Sequence, residues 1–363
     1  MHADTPYDDL TPDLILDALE ACGQRVDGRL LTLNSYENRV FQVGLDSGHM
    51  VVAKFYRPGR WSDEQILEEH AFANELAEAE VPAVPPMALT HHVSESARIV
   101  GNPPTLAHFG GHRIAVAHRR GGRPPELEDP EVLRWIGRFL ARLHQVGAQR
   151  PFAHRQRLDV HTLGWQAHRW LAEHDTIPLD QRGPWLDTAR QALELVEEAF
   201  ARIDGLRWLR VHGDCHPGNV LWTPNGPHFV DLDDAGMAPA VQDLWMLIGG
   251  EGNERQRQLD ALLDGYESIA EFDWRELQLI EPLRTLRLIH HSAWLARRWH
   301  DPAFPAAFPW FESGSYWQQQ RDQLRQQIDL MASGPVTHAS PIGIANWGPV
   351  NEDDPDADLN WDR

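Results

Sequence analysis

Three oxygen-bearing side chains lie close together in one stretch of the chain: Asp214, Asn219 five residues on, and Asp231 twelve further. The stretch runs Leu209-Arg-Val-His-Gly-Asp-Cys-His-Pro-Gly-Asn-Val-Leu-Trp222 and resumes at His228-Phe-Val-Asp-Leu-Asp-Asp234. A short apolar run delivers Asp214 into a tight loop, Asn219 follows where the chain has turned back, and Phe229-Val230 leads to Asp231. A carboxylate, an amide oxygen and a second carboxylate are hard ligands of the kind Mg2+ accepts beside nucleotide phosphates. Phosphoryl transfer asks little covalent help of a protein. It needs metal ions to neutralise the phosphates and a carboxylate to orient the attacking hydroxyl and take its proton. Asp214 fits the base; Asn219 and Asp231 fit the metal ligands. A lone Asp-x-x-x-x-Asn would mean nothing, since both residues are common loop formers. The preceding His212-Gly213 and the strand before Asp231 are what raise it above that.

The rest of the chain must position these groups. Thr11-Pro-Asp opens a helix to about Ala21, with Gly23 as its stop, after a loose tail over 1–10. Strand patterns follow at about 29–34, 39–46 and 50–56, the last (MVVAKFY) rich in β-branched and aromatic residues. From Ser62 to about Ala79 apolar residues recur every three or four positions, which predicts a helix. Proline pairs at 82–86 and 103–104 bracket short strands that end with Arg113–His118, and Gly121-Gly-Arg-Pro-Pro marks a boundary. Helical patterns then dominate: about 129–147, 163–174, 185–203, 240–249, 255–271, 274–300 and 315–332, interrupted by strand-like pieces at 208–213 and 219–231. A β-rich third followed by a helical remainder predicts an α+β chain of two lobes: 11–117, an antiparallel-sheet lobe, and 118–335, mainly helical. Residues 336–363 are rich in Pro, Asn and Asp with little periodicity and read as a disordered tail.

Composition narrows the partners. A formal charge of −21 disfavours broad contact with a nucleic-acid backbone, which calls for clustered Lys and Arg. It does not exclude one anionic substrate beside a metal ion. Cys22 and Cys215 are the only cysteines, too few for a disulfide framework. No run reaches the roughly 18 apolar residues of a membrane span, and the acidic start, MHADTPYDDL, lacks the apolar core of a signal peptide. The expectation is a soluble, cytoplasmic monomer. Fifteen tryptophans, most of them in the second half, can fill a large helical core, each indole removing about 150–250 Å² from water.

The spacing of His212-Gly-Asp and Asn219 resembles the protein-kinase catalytic loop, and Asp231-Leu-Asp stands where protein kinases carry Asp-Phe-Gly. The His-Pro-Gly-Asn continuation resembles the aminoglycoside phosphotransferase and choline kinase branch of that fold. Asn34-Ser-Tyr-Glu-Asn-Arg, Lys54-Phe-Tyr-Arg-Pro-Gly-Arg-Trp, Val230-Asp-Leu-Asp-Asp-Ala and Val241-Gln-Asp-Leu-Trp-Met are similar to the stress response kinase A family of bacterial Ser/Thr kinases. Ala293-Trp-Leu-Ala-Arg-Arg-Trp and Asp301-Pro-Ala-Phe extend the likeness, which covers about 10–335. The resemblance implies a two-lobed protein-kinase-like fold with ATP and Mg2+ in a cleft, and phosphorylation of a protein Ser/Thr hydroxyl, including autophosphorylation, in stress response. It implies that Lys54 binds ATP phosphates and that a helix glutamate holds it: Glu69, with Glu68 the alternative one residue away. Ser35 would sit in the phosphate loop, the backbone of Ala115–Arg119 beside adenine, and Asp243 would hold the catalytic loop. There are departures: no G-x-G-x-x-G, His216 where many protein kinases carry lysine, and no A-P-E, so no activation segment regulated by phosphorylation is expected.

Plainer readings stand beside these. Lys54 could be an exposed strand lysine, Ser35 a turn former, and Glu69 part of a solvated helix face. His212, Cys215 and His216 lack the further soft ligands a zinc site needs, so His212 reads as a buried loop organiser. Cys215 would act as a redox switch only with exposure and a depressed pKa. Trp294 and Trp299 read as core. Arg297 and Arg298 could face an anionic substrate, with a solvated helix edge the simpler reading. The rival activity is a small-molecule kinase acting on an amino alcohol or aminoglycoside hydroxyl. The rival class is a catalytically dead ATP-sensing module, for which Asp214, Asn219, Asp231 and Lys54 together have no need.

Overall fold

The computed structural model describes residues 6–90, 97–250 and 252–333. The tail expected over 336–363 lies outside them, as do residues 1–5. The chain divides into two compact units, Met1–Gly121 with Ala153–Arg155 and His228–Asp233, and Gly122–Phe152 with Gln156–Pro227 and Asp234–Arg363.

In the first unit, helix α1 (Pro12–Ala21) starts at Thr11, whose side chain accepts from the Leu14 amide. Strands β1 (Val26–Leu33), β2 (Arg39–Leu45) and β3 (Met50–Phe55) precede helix α2 (Asp63–Glu78), and β4 (Arg98–Val100), β5 (Leu106–Phe109) and β6 (His112–His118) follow it. They form one antiparallel sheet in the order β1-β2-β3-β6-β5-β4. Alternation along β3 sends Val51, Ala53 and Phe55 into the core with Ile15, Ala18 and Leu19 of α1, leaving Lys54 on the opposite face. There Ile66 of α2 packs with Tyr56, Leu106 and Ala115. A capping box between Ser62 and Gln65 starts α2, and its buried face includes Glu69 and His70. Residues 6–10 are tied in by the Tyr7 hydroxyl, 3.3 Å from the carbonyls of Glu37 and Phe55.

The second unit holds α3 (Pro130–Gly147), α4 (Gln166–Glu173), α5 (Leu179–Ala201), β7 (Leu209–Val211), β8 (Val220–Thr223), the start of β9 (Gly226–Phe229), β10 (Gly236–Ala238), α6 (Gly252–Glu267), α7 (Ile280–Arg298), α8 (Ala303–Ala307) and α9 (Gly314–Ala332). α3 and α6 cross where both are glycine: a Cβ on Gly137 would lie 2.1 Å from the Leu262 carbonyl oxygen, and one on Gly265 2.1 Å from that of Arg134. Trp185 of α5 meets Trp317 of α9 edge to face at 5.5 Å, both fully buried. The helix expected over 240–249 is instead two 3-10 turns, Ala240–Asp243 and Trp245–Leu247. Asp243 is committed there to backbone amides of the preceding loop, which outweighs local helix propensity. The helix expected from 185 begins earlier, at Leu179, and accommodates Pro184 in its second turn. Among the described residues no helix is long and apolar enough to cross a membrane.

Candidate active site

In the first unit the Lys54 ammonium lies 2.6 Å from the Asp231 carboxylate. Burial works against that ammonium, but Asp231 and Asp233 outweigh it and hold Lys54 well above its ordinary pKa. Asp231 has φ of 60°, a left-handed conformation that a short polar side chain tolerates better than most. Its own side chain is about half exposed, at 48%. Two residues on, Asp233 is buried and takes the Asn38 amide at 3.1 Å and the Arg60 guanidinium. Burial pushes its carboxyl up, but Arg60, Lys54 and Arg155 hold it far below the usual range. The β1–β2 loop that contains Ser35 is fastened from beneath. Arg57 donates to the carbonyls of Glu37 (2.8 Å) and Tyr36 (3.1 Å), and its backbone amide donates to the Asn38 side chain at 3.1 Å.

The two candidate glutamates of α2, Glu68 and Glu69, have different jobs. Glu68 accepts three successive backbone amides, from Ala153, His154 and Arg155, at 2.5, 2.9 and 2.9 Å. Glu69 is buried, and burial pushes its carboxyl up to about 7 against the pull of Lys54 and Arg155. Lys54 therefore ion-pairs with Asp231, not with the expected Glu69, which acts on it only through the field. Beside Glu69, His70 bonds the Tyr56 hydroxyl and Thr105, each at 2.8 Å.

In the second unit, β7 leads into the Asp214 loop, and that loop is clamped. Fully buried Asp243 accepts from the amides of His212 (2.7 Å) and Gly213 (2.8 Å), and His144 lies 3.1 Å from it. Gly213 turns with φ of 87°, and a Cβ there would meet the Asp234 carbonyl at 2.2 Å, so only glycine fits. The Asn219 amide nitrogen donates to the Asp214 carbonyl at 3.0 Å, which orients its oxygen as an acceptor. The Asp214 carboxylate receives the Arg287 guanidinium from α7, with His216 at 3.7 Å. Burial works to raise Asp214, but Arg287, His216 and His212 bring it below the ordinary carboxylate range.

The structure thus joins Lys54 to Asp231 in one unit and Asp214 to Asn219 in the other, with Glu69 near the lysine but unpaired with it and Ser35 in a partly exposed loop. His212 is fully buried, and the His216 imidazole accepts from the Gly218 amide at 3.0 Å. Burial, with Asp243 and Asp214 adding to it, pushes the Cys215 thiol well above its ordinary value, against a thiolate switch. Sequence reasoning missed Arg287, Asp233, Asn38 and Arg60. The last two sit inside segments singled out for their resemblance, and Asp233 is the second acid of Asp231-Leu-Asp. Arg287 is one cation among several on a helix and left no local signal.

A sheet unit with a strand lysine paired to one aspartate, and a helical unit presenting another from a clamped loop, make the class a kinase-like phosphotransferase. Residues 30–280 match the phosphotransferase enzyme family. The chain belongs to that family and, within it, to the stress response kinase A group. It is 42% identical over 330 residues to "Stress response kinase A" of Salmonella choleraesuis and 40% identical to that of Escherichia coli K12, each match covering 91% of this chain and 96% of the relative. "Serine/threonine protein kinase RdoA" of Salmonella typhimurium is 42% identical over the same shares. Among solved structures, an amicoumacin kinase in complex with AMP-PNP and Ca2+ matches with a TM-score of 0.62 at 18% identity, covering 86% of this chain and 93% of that one. A microcompartment-associated aminopropanol kinase also gives 0.62 at 18%, covering 89% and 97%. These two likenesses speak for the fold.

Proposed function

We propose that the protein is an ATP-dependent protein-serine/threonine kinase, capable of autophosphorylation and acting in a bacterial stress response from the cytoplasm as a monomer. Asp214 orients the acceptor hydroxyl and takes its proton. Lys54 holds ATP phosphates, Glu69 keeps the field around it negative, and Ser35 hydrogen-bonds the nucleotide from the β1–β2 loop. Asn219 and Asp231 are the Mg2+ ligands: one offers an oriented amide oxygen, the other a half-exposed carboxylate, and both are hard donors. The metal, when bound, neutralises phosphate charge.

The observation that carries the reading is the clamped loop, in which buried Asp243 fixes two amides around Asp214 and Asn219 fixes its carbonyl. Such rigidity suits a base whose work depends on geometry. The names of the 40–42% identical relatives favour a protein acceptor over a small molecule. Radiolabelled ATP offered with a casein-like protein, beside a panel of aminoglycosides and amino alcohols, tests this. Label in the protein and in the enzyme itself is expected. Label only in a small molecule would replace the proposal with the rival activity, and no ADP above background would leave a non-catalytic ATP binder.

A further inference from the structure

Two residues after Asp214, where many protein kinases carry a lysine, this chain has His216, whose Nε2 stands 3.7 Å from Asp214 Oδ2. That separation is too long for a hydrogen bond. A cation reaches Asp214 from elsewhere in the same unit: Arg287 of α7 donates from Nη1 to Asp214 Oδ1. The pair spans 73 residues, and Arg287 lies beyond the 30–280 stretch that matches the phosphotransferase family.

α7 is built to aim that guanidinium. Leu286 and Leu288, on either side of Arg287, are buried, and a Cβ on Gly164 would lie 2.9 Å from the Leu286 side chain. The helix is therefore closely packed where the arginine leaves it. Its neighbours about one turn away are engaged with other groups. Arg284 pairs with Glu281 at 3.0 Å and lies 5.7 Å over the Trp245 ring, and His291 stacks on Trp294 at 5.6 Å. Arg287 thus meets Asp214 from a packed helix, and elements of that kind hold a reacting group more precisely than loops do.

The contact makes the two carboxylate oxygens unequal. Oδ1 is bound to Arg287, whereas Oδ2 accepts no hydrogen bond among the described residues. Asn219 holds the Asp214 carbonyl, and Asp243 holds the amides of His212 and Gly213. Those bonds fix the backbone and leave the side-chain torsions of Asp214 free. Arg287 restrains them, because a charge-assisted bond to one oxygen sets where the other can point. The pair is part-exposed, at 32% and 22%, so it contributes little to stability and its consequence is geometric.

We propose that Arg287 is a positioning residue for the transfer step: it holds Oδ1 of Asp214 so that Oδ2 faces the acceptor hydroxyl. In that step the O–H bond of the acceptor breaks and its proton passes to Oδ2, while the new O–P bond forms and the bond to ADP breaks, its electron pair leaving on ADP. The inference rests on the reading of Asp214 as the base, and it holds for a protein acceptor and a small one alike.

The test is a cycle on the full chain: Arg287→Gln, Asp214→Asn and the two together, followed by ADP release and by label transferred to a casein-like protein or to the enzyme itself. Arg287→Gln should melt near wild type, keep KM for ATP within ~2-fold, and lose ~10²-fold in kcat, the scale on which a misplaced reacting group slows a reaction. Arg287→Lys, a point charge without the planar fork, should recover part of that kcat. Over Asp214→Asn, adding Arg287→Gln should cost less than ~2-fold more, since the arginine acts through that carboxylate. Wild-type kcat in Arg287→Gln beside an inactive Asp214→Asn would overturn the proposal and leave the base in place. Losses that multiply in the double variant would also overturn it, because Arg287 would then act on ATP or the acceptor directly. Wild-type turnover in Asp214→Asn would instead remove the base reading, and the proposal with it. Should Arg287→Gln melt early, the same cycle is run with Arg287→Lys, whose smaller deficit should vanish over Asp214→Asn; a deficit that persists there counts against the proposal.

Discussion

Asp214 and Asp231 both follow short strands, yet their surroundings differ in kind. Asp214 is 22% exposed, paired with Arg287, and carried by a loop that Asp243 and Asn219 hold through its backbone. Asp231 is 48% exposed, sits in a left-handed backbone conformation, and is anchored by a lysine and by its neighbour Asp233. In the proposed roles, the group that would aim at a hydroxyl is the locked one, and the group that would receive a metal keeps its carboxylate open, with rigidity supplied two residues away. The difference teaches that position is fixed at Asp214 by its own loop, and at Asp231 by a buried second acid.

The sharpest way to break this contrast is Asp231→Asn. Turnover should fall to background, and ATP binding should lose its dependence on Mg2+, because the charge that would draw the metal is gone. Calorimetric titration of ATP at several Mg2+ concentrations measures it; an unchanged metal requirement would remove Asp231 from the metal site. Asp214→Asn should leave ATP and Mg2+ binding nearly normal while phosphotransfer drops by at least ~10²-fold, the lower range for losing a general base. Wild-type turnover in that variant would leave the proposed mechanism without its base. Its melting should stay within about 1 kcal/mol of wild type, since a part-exposed ion pair contributes little.

Much of this was legible in the sequence. The Asp214–Asn219 spacing, the strand before Asp231 and the alternation that turns Lys54 away from the main core are local patterns, and local patterns are what a sequence displays. The choice between Glu68 and Glu69 was not, because helical spacing tolerates either register; only three amides arriving from 153–155 show that Glu68 is occupied elsewhere. Arg287 was hidden for the same reason, its partner being 73 residues away. The failed helix over 240–249 shows tertiary bonding to Asp243 prevailing over local propensity.

Smaller effects sharpen the comparison. Asp243→Asn keeps the shape of a fully buried group but replaces one acceptor oxygen with a donor, leaving an amide of the Asp214 loop unpaired. A stability loss on the order of 1–3 kcal/mol is expected from such a group, with activity reduced because the loop loosens. Paired melts and kinase assays check it, and a variant that melts like wild type would show that the loop is held by other contacts.

The last expectation concerns Glu69, whose burial carries a cost in the first unit. Its carboxyl is raised from 4.5 to about 7 in the folded protein, by burial first, with Lys54 and Arg155 opposing. Between those two values the folded protein keeps a proton that the unfolded chain has released, so stability falls as pH rises through the window. Above about 7 the penalty is complete; below 4.5 it vanishes. Glu69→Gln cannot ionise and should escape it. Relative to wild type, the variant should therefore gain stability between pH 4.5 and 8 by on the order of 1–3 kcal/mol, read from urea melts across that range. Asp233 predicts the opposite slope, since a carboxyl held below its ordinary value stabilises the fold at neutral pH and loses that contribution on acidification. A Glu69→Gln difference that does not change with pH would mean the carboxylate is charged throughout, and Glu69 would then be strong enough an anion to take Lys54 from Asp231.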